Sequence, residues 1–597
     1  MKMKYENIKE YAIIGNGRSA ALISRNGSLD WLCWPRFDSS SIFGALLDNQ
    51  RGGYWSIIPC CPYTVKREYL KNSMVLKTTF TCETGSAILI DCMPIFDESE
   101  NYIVPEQQII RLIEVIDGNV SFKIIFKPSP GYGKANLKCI RNSFGRAFIW
   151  KGKCLYYRSH IEIDDNGIGY VSLGRGQFAC MNLFFVKDTP AVFQPLGDFQ
   201  KQIISDTVEH WCKWAQGCTF EGAYRFAVIR SALVLKSLIY SPSGAIIAAP
   251  TTSLPESMGR ELNWDYRYCW LRDASLTVRA LFEIGFKDEA RAFASWLLHT
   301  TRISRPKLKA YYDVYGGINN RETVAYWLTG YNGSSPVRIG NAAQEQYQLD
   351  IYGEVIDAVE HIIEADRKVD SETENMLINF GLYICRHWND PDEGIWEPRT
   401  GVSQHTHSKV NCWNGINRLL RLQQQKLIRA EQMDLFLKHL PIIMNAVKQK
   451  GWSDTQASYV QKFGSPSLDM SLILMPWHGF EDPGSDRMRK TFSALKKRLH
   501  TGNCLFYRND QSRIEKEGAF GICCFWVADY LARGGGSLEQ ACQQFEGVLS
   551  YANDLGLFAE EIEPLSGNFL GNFPQAFTHV GLINAAVSIE KRKKEGY

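Results

Sequence analysis

The 597-residue sequence has no apolar run of membrane-spanning length, no internal repeat and no Cys-x-x-Cys pair among its 17 cysteines. Without a long apolar run, no transmembrane helix is expected. The cysteines are scattered and odd in number, and are adjacent only at Cys60–Cys61 and Cys523–Cys524. That pattern excludes a zinc or thioredoxin-like motif, argues against a disulfide framework and fits reduced thiols. Met1 to Glu10 is charged and carries no apolar segment of the signal-peptide kind, so a cytoplasmic protein is expected. Excess charge is also missing. The 67 Lys and Arg against 64 Asp and Glu leave a net +3, which argues against nucleic acid or an anionic membrane as partner. The basic run Lys591, Arg592, Lys593 and Lys594 reads as a solvated helix end. What remains is a soluble globular composition, 45% hydrophobic and 22% charged, in a chain long enough for two domains.

The periodicity changes once along the chain. In the first 200 residues, short segments rich in β-branched and aromatic residues (Val75–Phe80, Ala87–Met93, Ile109–Ile116, Val120–Phe126, Ala147–Trp150) predict strands of an antiparallel β-sandwich over residues 1–198. Asn26-Gly27 and Asp117-Gly118 carry the residue pairs of tight hairpin turns. A linker with a helix near Val208–Trp214 fills 199–222. From there to residue 597 apolar stripes recur at helical spacing, over Ala227–Leu238, Ala274–Ile284, Lys287–Leu298, Asp350–Ala365 and Ser371–His387. Gly285 and Gly556 read as helix stops, and Ser537 with Gln540 as a capping box. Many helices with long loops suit a closed helical array better than a four-helix bundle.

One stretch stands apart: Asn263-Trp-Asp-Tyr-Arg-Tyr-Cys-Trp-Leu-Arg-Asp-Ala-Ser275. Four aromatics, two arginines and two aspartates mix there without helix or strand period. Flat aromatic faces beside bidentate donors and acceptors suit a sugar ring, stacked on its C–H face and paired at its hydroxyls. The plainer alternative is a structural ion-pair cluster beside a core tryptophan. Gly394-Ile-Trp-Glu-Pro-Arg399 places Glu397 beside a large aromatic and before Pro398. An extended backbone and a raised pKa, suited to a general acid, are expected there, against an exposed glutamate paired with Arg399. Gly556 to Pro564 crowds Glu560, Glu561 and Glu563 into a loop. Two acidic loops so far apart in sequence meet only if the fold closes on itself. Arg508 and the run Glu517–Phe520 are further candidates for lining a cleft. His405-Thr-His407 reads as polar surface rather than a metal site. Gly15-Asn-Gly-Arg-Ser-Ala20 matches a dinucleotide fingerprint, but a turn at Asn26-Gly27 stands where the fingerprint needs a helix.

Together these residues resemble glycoside hydrolase family 15, the glucoamylase family, in its bacterial and archaeal form with a trehalase-like N-terminal domain. Ile23 to Asp38 resembles the family's N-terminal signature. Asn263 to Ala274, Pro336 to Asn341, Gly394 to Arg399 and Gly571 to Phe577 resemble its later motifs. The resemblance implies an N-terminal β-sandwich followed by an (α/α)6 barrel. It implies Glu397 as general acid and Glu560 as general base, with Arg272 and Asp273 gripping the terminal glucose beside Trp270 and Trp396. Arg508 and Glu561 are implied as further substrate-binding residues. Two departures, Gly259-Arg260-Glu261-Leu262 ahead of the first motif and Pro398 after the acid, fall where an aglycone would sit. The expected reaction is inverting exo-hydrolysis of an α-glucosidic bond with release of β-glucose, on a gluco-oligosaccharide or glucan, without metal or organic cofactor. Trehalose and isomaltose-type α-1,6 links are the alternatives, and an inactive carbohydrate-binding protein is the alternative of another class. With no leader expected, an internal reserve is the substrate anticipated, and Tyr311, Tyr312, Tyr315, Tyr326 and Trp327 as stacking surfaces favour the glucan.

Overall fold

In the computed structural model, residues 5–96, 105, 107–187, 193–302, 304–318 and 321–596 are described. The N-terminal part is an antiparallel β-sheet domain organised around one 20-residue strand, Gln108–Lys127. Its first half pairs with Gly85–Cys92 and Phe178–Lys187; its second half pairs with Tyr54–Pro59 and Ile168–Gly174. The strand therefore belongs to two sheets and switches between them near Gly118, whose φ is +66°. This corrects the hairpin expected at Asp117-Gly118. The glycine does take the left-handed conformation that a turn would use, but Gly85 pairs across it and the chain runs straight on. At Asn26-Gly27 the expected hairpin is present, joining Ala20–Ser24 to Ser28–Cys33. Gly15 to Ala20 closes another hairpin, with no helix behind it, so the glycines there belong to a turn and not to a nucleotide site.

Helix α1 (Asp198–Ala215) is longer than its apolar stripe suggests and lays Ile203, Ile204 and Val208 on Val75, Ile110 and Leu112 of the sheet. After it come α2 (Arg225–Ser237), α3 (Leu271–Glu283), α4 (Lys287–Thr300), α5 (Asp350–Asp366), α6 (Ser371–His387), α7 (Thr406–Gln424), α8 (Met433–Lys450), α9 (Asp486–Leu499), α10 (Asp510–Glu515), α11 (Gly521–Tyr530), α12 (Leu538–Leu549) and α13 (Ala576–Lys594). Ser537 and Gln540 form the capping box of α12, whereas Gly556 lies in the loop beyond that helix rather than at its end.

Ten of these helices fall into two groups. α4, α6, α8, α9 and α12 bury one stripe, as surface helices do. α11 is buried all round, and α3, α5, α7 and α13 nearly so. α3 packs on α5 and α5 on α7. The short turn Met470–Leu474 lies between α7 and α11, α11 packs on α13, and α13 returns to α3. The connecting segments and the first turns of α3 and α13 carry the residues of the cleft described next. The sheet domain buttresses them: Trp31 Nε1 donates to Pro250 O (2.7 Å) and Arg267 Nη1 to Ser39 O (2.8 Å).

Candidate active site

Tyr266, Trp270, Arg272, Asp273, Ile395, Trp396, Glu397, Arg508, Phe520 and Gln575 converge with Ala248 and Phe577 on one cleft of about 380 Å³. Six of the sequence-predicted residues, Trp270, Arg272, Asp273, Trp396, Glu397 and Arg508, are thus brought together. Arg272 and Asp273 occupy the first turn of α3, with Trp270 just ahead on a two-residue strand. Burial pushes Asp273 up to about 8 against the opposing pull of Arg272, so near neutral pH this carboxyl carries a proton it can donate.

Glu397 is held by three donors. Its Oε1 accepts from Trp270 Nε1 (2.7 Å), Arg272 Nη2 (3.0 Å) and Gln348 Nε2 (3.1 Å). Its backbone departs from expectation: φ is +56°, left-handed rather than the extended form that Pro398 favours. A non-glycine residue there stores on the order of 1–3 kcal/mol and persists only where its surroundings dictate it. Arg399 is not its partner. The guanidinium turns away to Glu322 Oε1 (3.0 Å). Arg272 itself is pinned by Asp350 Oδ2 (2.8 Å) and Gln348 Oε1 (3.0 Å) rather than by its neighbour Asp273.

Glu560 lies behind Tyr266, outside the residues that line the cleft surface, and Glu561, which opens a two-residue strand, turns its carboxyl elsewhere. Glu560 Oε2 accepts from Asn572 N (3.2 Å), and the Tyr266 hydroxyl donates to the same carboxyl. Burial pushes this carboxyl up to about 7. Glu561 Oε2 takes Gly518 N (2.8 Å) and joins Glu256 and Glu517 in a buried acidic cluster. Glu256 and Glu517 both hold Arg508, at 2.7 and 2.9 Å, and the guanidinium also lies over Phe520 (5.2 Å) and Trp396 (5.8 Å). Burial, then the charges of Glu560 and Glu256 and, less strongly, Glu397, drive the Tyr266 hydroxyl well above the ordinary tyrosine value. Gly571, at φ +70°, leaves the space that Glu560 fills, since a Cβ there would stand 2.4 Å from Oε2 and 2.7 Å from the Glu560 Cβ. Gly571→Ala is expected to displace Glu560 and cost about ten- to a hundredfold in kcat/KM, the rate equivalent of 1–3 kcal/mol of strain and misplacement. A full-rate Gly571→Ala enzyme with an unchanged melting curve would contradict this placement.

Half of the Asn263–Ser275 stretch follows the plainer alternative. Asp265 and Arg267 form a fully buried ion pair (2.6 Å) that locks the loop to the sheet domain. His405 and His407, expected at the surface, are buried, and burial lowers both to about 4, so they are neutral. Tyr311 and Tyr312 are wholly buried, with Tyr311 packed beneath Trp270 at 4.6 Å, so neither stacks on a ligand at the mouth. Sequence reasoning missed Tyr266, Gln346, Gln348, Asp350 and Glu256. The alternation Gln346-Tyr-Gln348-Leu-Asp350, polar residues two apart just ahead of α5, was the available signal.

Comparison with known proteins adds the following. The family of glycosyl hydrolases 15 matches residues 222–587, and the trehalase-like N-terminal family matches residues 3–147. A protein named trehalase from Thermoplasma volcanium is 33% identical, covering 98% of this chain and 94% of its own length. Another named trehalase, from Mycolicibacterium smegmatis, is 32% identical, covering 100% of this chain and 93% of its own. Among solved structures, a bacterial glucoamylase complexed with acarbose shares the fold, with a TM-score of 0.73 at 12% identity, over 99% of this chain and 95% of that one.

Proposed function

We propose that this chain, which belongs to glycosyl hydrolase family 15, is an inverting α,α-trehalase built as a β-sandwich (1–198), a linker helix (199–222) and an (α/α)6 barrel (223–597). The returning circuit from α3 through α5, α7, the 470–474 turn, α11 and α13 supports the barrel. The observation that carries the function is the convergence of Glu397, Trp270, Arg272, Asp273 and Arg508 on one cleft, with Glu560 bonded to its lining residue Tyr266. Glu397 protonates the glycosidic oxygen. Glu560 removes a proton from the water that attacks the anomeric carbon from the opposite face. Arg272 and Asp273 hold hydroxyls of the glucose whose bond is broken, and Trp270 and Trp396 wall it.

The whole-length relatives are named trehalase, which favours the α,α-1,1 link over the glucan anticipated from the sequence. The cleft points the same way. A glucan hydrolase needs an aromatic-lined mouth; of the tyrosines that suggested one, Tyr311 and Tyr312 are inaccessible, and Tyr315 and Tyr326 are exposed but do not line the cleft. Trehalose is therefore expected to exceed maltotriose and isomaltose in kcat/KM, the ratio by which an enzyme discriminates. Measured on one preparation, a preference for either of the other two would overturn the trehalase reading while leaving the catalytic roles in place.

A further inference from the structure

We propose that Glu322 is a positioning residue for the catalytic acid, acting from outside the cleft through two routes that converge on Glu397. The proposal rests on Glu397 being the acid. Through the first route, Glu322 receives the Arg399 guanidinium, Nη1 on Oε1 at 3.0 Å with Nη2 on the second oxygen, a two-point fork that fixes the backbone two residues beyond Glu397. Through the second, its Oε2 accepts Ala342 N (3.0 Å) at the start of the 342–345 turn. That turn delivers Gln346, whose Nε2 donates to Glu397 O (3.2 Å), and Gln348, whose Nε2 donates to Glu397 Oε1 (3.1 Å). Arg338 Nε completes the hub at 3.2 Å. The Trp264 ring lies beneath both guanidiniums, 4.5 Å from Arg338 and 4.2 Å from Arg399, which adds a stacking constraint to the charge pairing.

A surface ion pair is worth little by itself. This one differs in what it fastens: the backbone at Glu397 is left-handed without being glycine, a conformation that survives only when its flanks are over-determined. The clamp holds the backbone beyond Glu397, and the turn capped by Glu322 delivers the side chains that hold the Glu397 carbonyl and carboxylate. Glu322 is only 15% exposed in its side chain, and the pull of its partners outweighs burial to keep it below the ordinary carboxylate range, so it stays ionised for both tasks.

The test separates the acid's work from the rest of catalysis. Glu322→Ala and Arg399→Ala are assayed on trehalose, whose leaving group must be protonated, and on α-glucosyl fluoride, whose leaving group needs little protonation. The expected result is a fall in kcat on trehalose of about 10–10²-fold, the usual consequence of a small misplacement, with KM and the fluoride rate held. Arg399→Lys, which keeps the charge but not the fork, should recover only part of the loss. Arg399 is 41% exposed in its side chain, so its variants test the clamp even if Glu322→Ala misfolds. Equal losses on both substrates, a change confined to KM, or no change would overturn the proposal. Glu397→Gln in the same assay distinguishes the two failures. If it shows the split and the clamp variants do not, the clamp alone is wrong. If it shows none, the assignment of the acid falls, and the clamp with it.

Discussion

Glu560→Gln is expected to lower kcat on trehalose by at least ~10²–10⁴-fold, the range for loss of a general base, with the fold intact. The amide keeps the shape and can still meet Asn572 N through its oxygen, but it cannot take a proton from water. The pH dependence has a definite sign. Burial holds the Glu560 carboxyl at about 7, and the base works only when ionised, so kcat/KM should rise through that value and fall as pH drops below it. Azide, a nucleophile that needs no deprotonation, should restore part of the lost rate. Glu561→Gln should be the milder change on chemistry, since its carboxyl faces Gly518 and the Arg508 cluster rather than Tyr266. Kinetics of the two variants side by side check the assignment, and a crippled Glu561→Gln beside an active Glu560→Gln would reverse it.

Glu397→Gln should cost a similar ~10²–10⁴-fold on trehalose, but its loss should depend on the leaving group. A glucose hydroxyl is a poor leaving group that departs only when protonated. Fluoride departs with little help, so α-glucosyl fluoride should be hydrolysed by Glu397→Gln at a rate much nearer that of the parent enzyme. The same substrate should not rescue Glu560→Gln, because attack by water still needs the base. The contrast isolates the acid from the three donors around it, Trp270, Arg272 and Gln348, whose geometry the isosteric amide disturbs least. Equal losses on both substrates would mean that Glu397 binds sugar rather than donating a proton.

The architecture was legible where local chemistry and topology agree. The change from strand to helix periodicity, the Asn26-Gly27 hairpin and the α12 capping box all follow from residues next to one another in the chain. Asp117-Gly118 shows where that stops. The glycine takes the conformation its residue type favours, but whether a chain reverses there or crosses to a second sheet depends on partners far away in sequence. At the site, unusual composition was the usable signal. Tryptophan, arginine and carboxylate crowd Asn263–Ser275 beyond any need of the fold, though Asp265 and Arg267 there turned out to serve the fold after all. Gln346 and Gln348 gave no such signal, since glutamines in a loop are ordinary until tertiary structure brings them onto Glu397. The tyrosines of 311–315 misled for the opposite reason. Large aromatics suit a sugar platform and a core equally, and only burial separates the two.

Inversion on trehalose by the pair Glu397 and Glu560 can be read directly from the first products. Proton NMR of a fresh digest, taken before mutarotation, should show equal α- and β-glucose. The attacked ring inverts to β, and the departing glucose keeps its own α configuration because its anomeric C–O bond is never broken. In H₂¹⁸O the label should enter the β-glucose alone. Release of α-glucose only at the earliest times would mean retention and contradict the account.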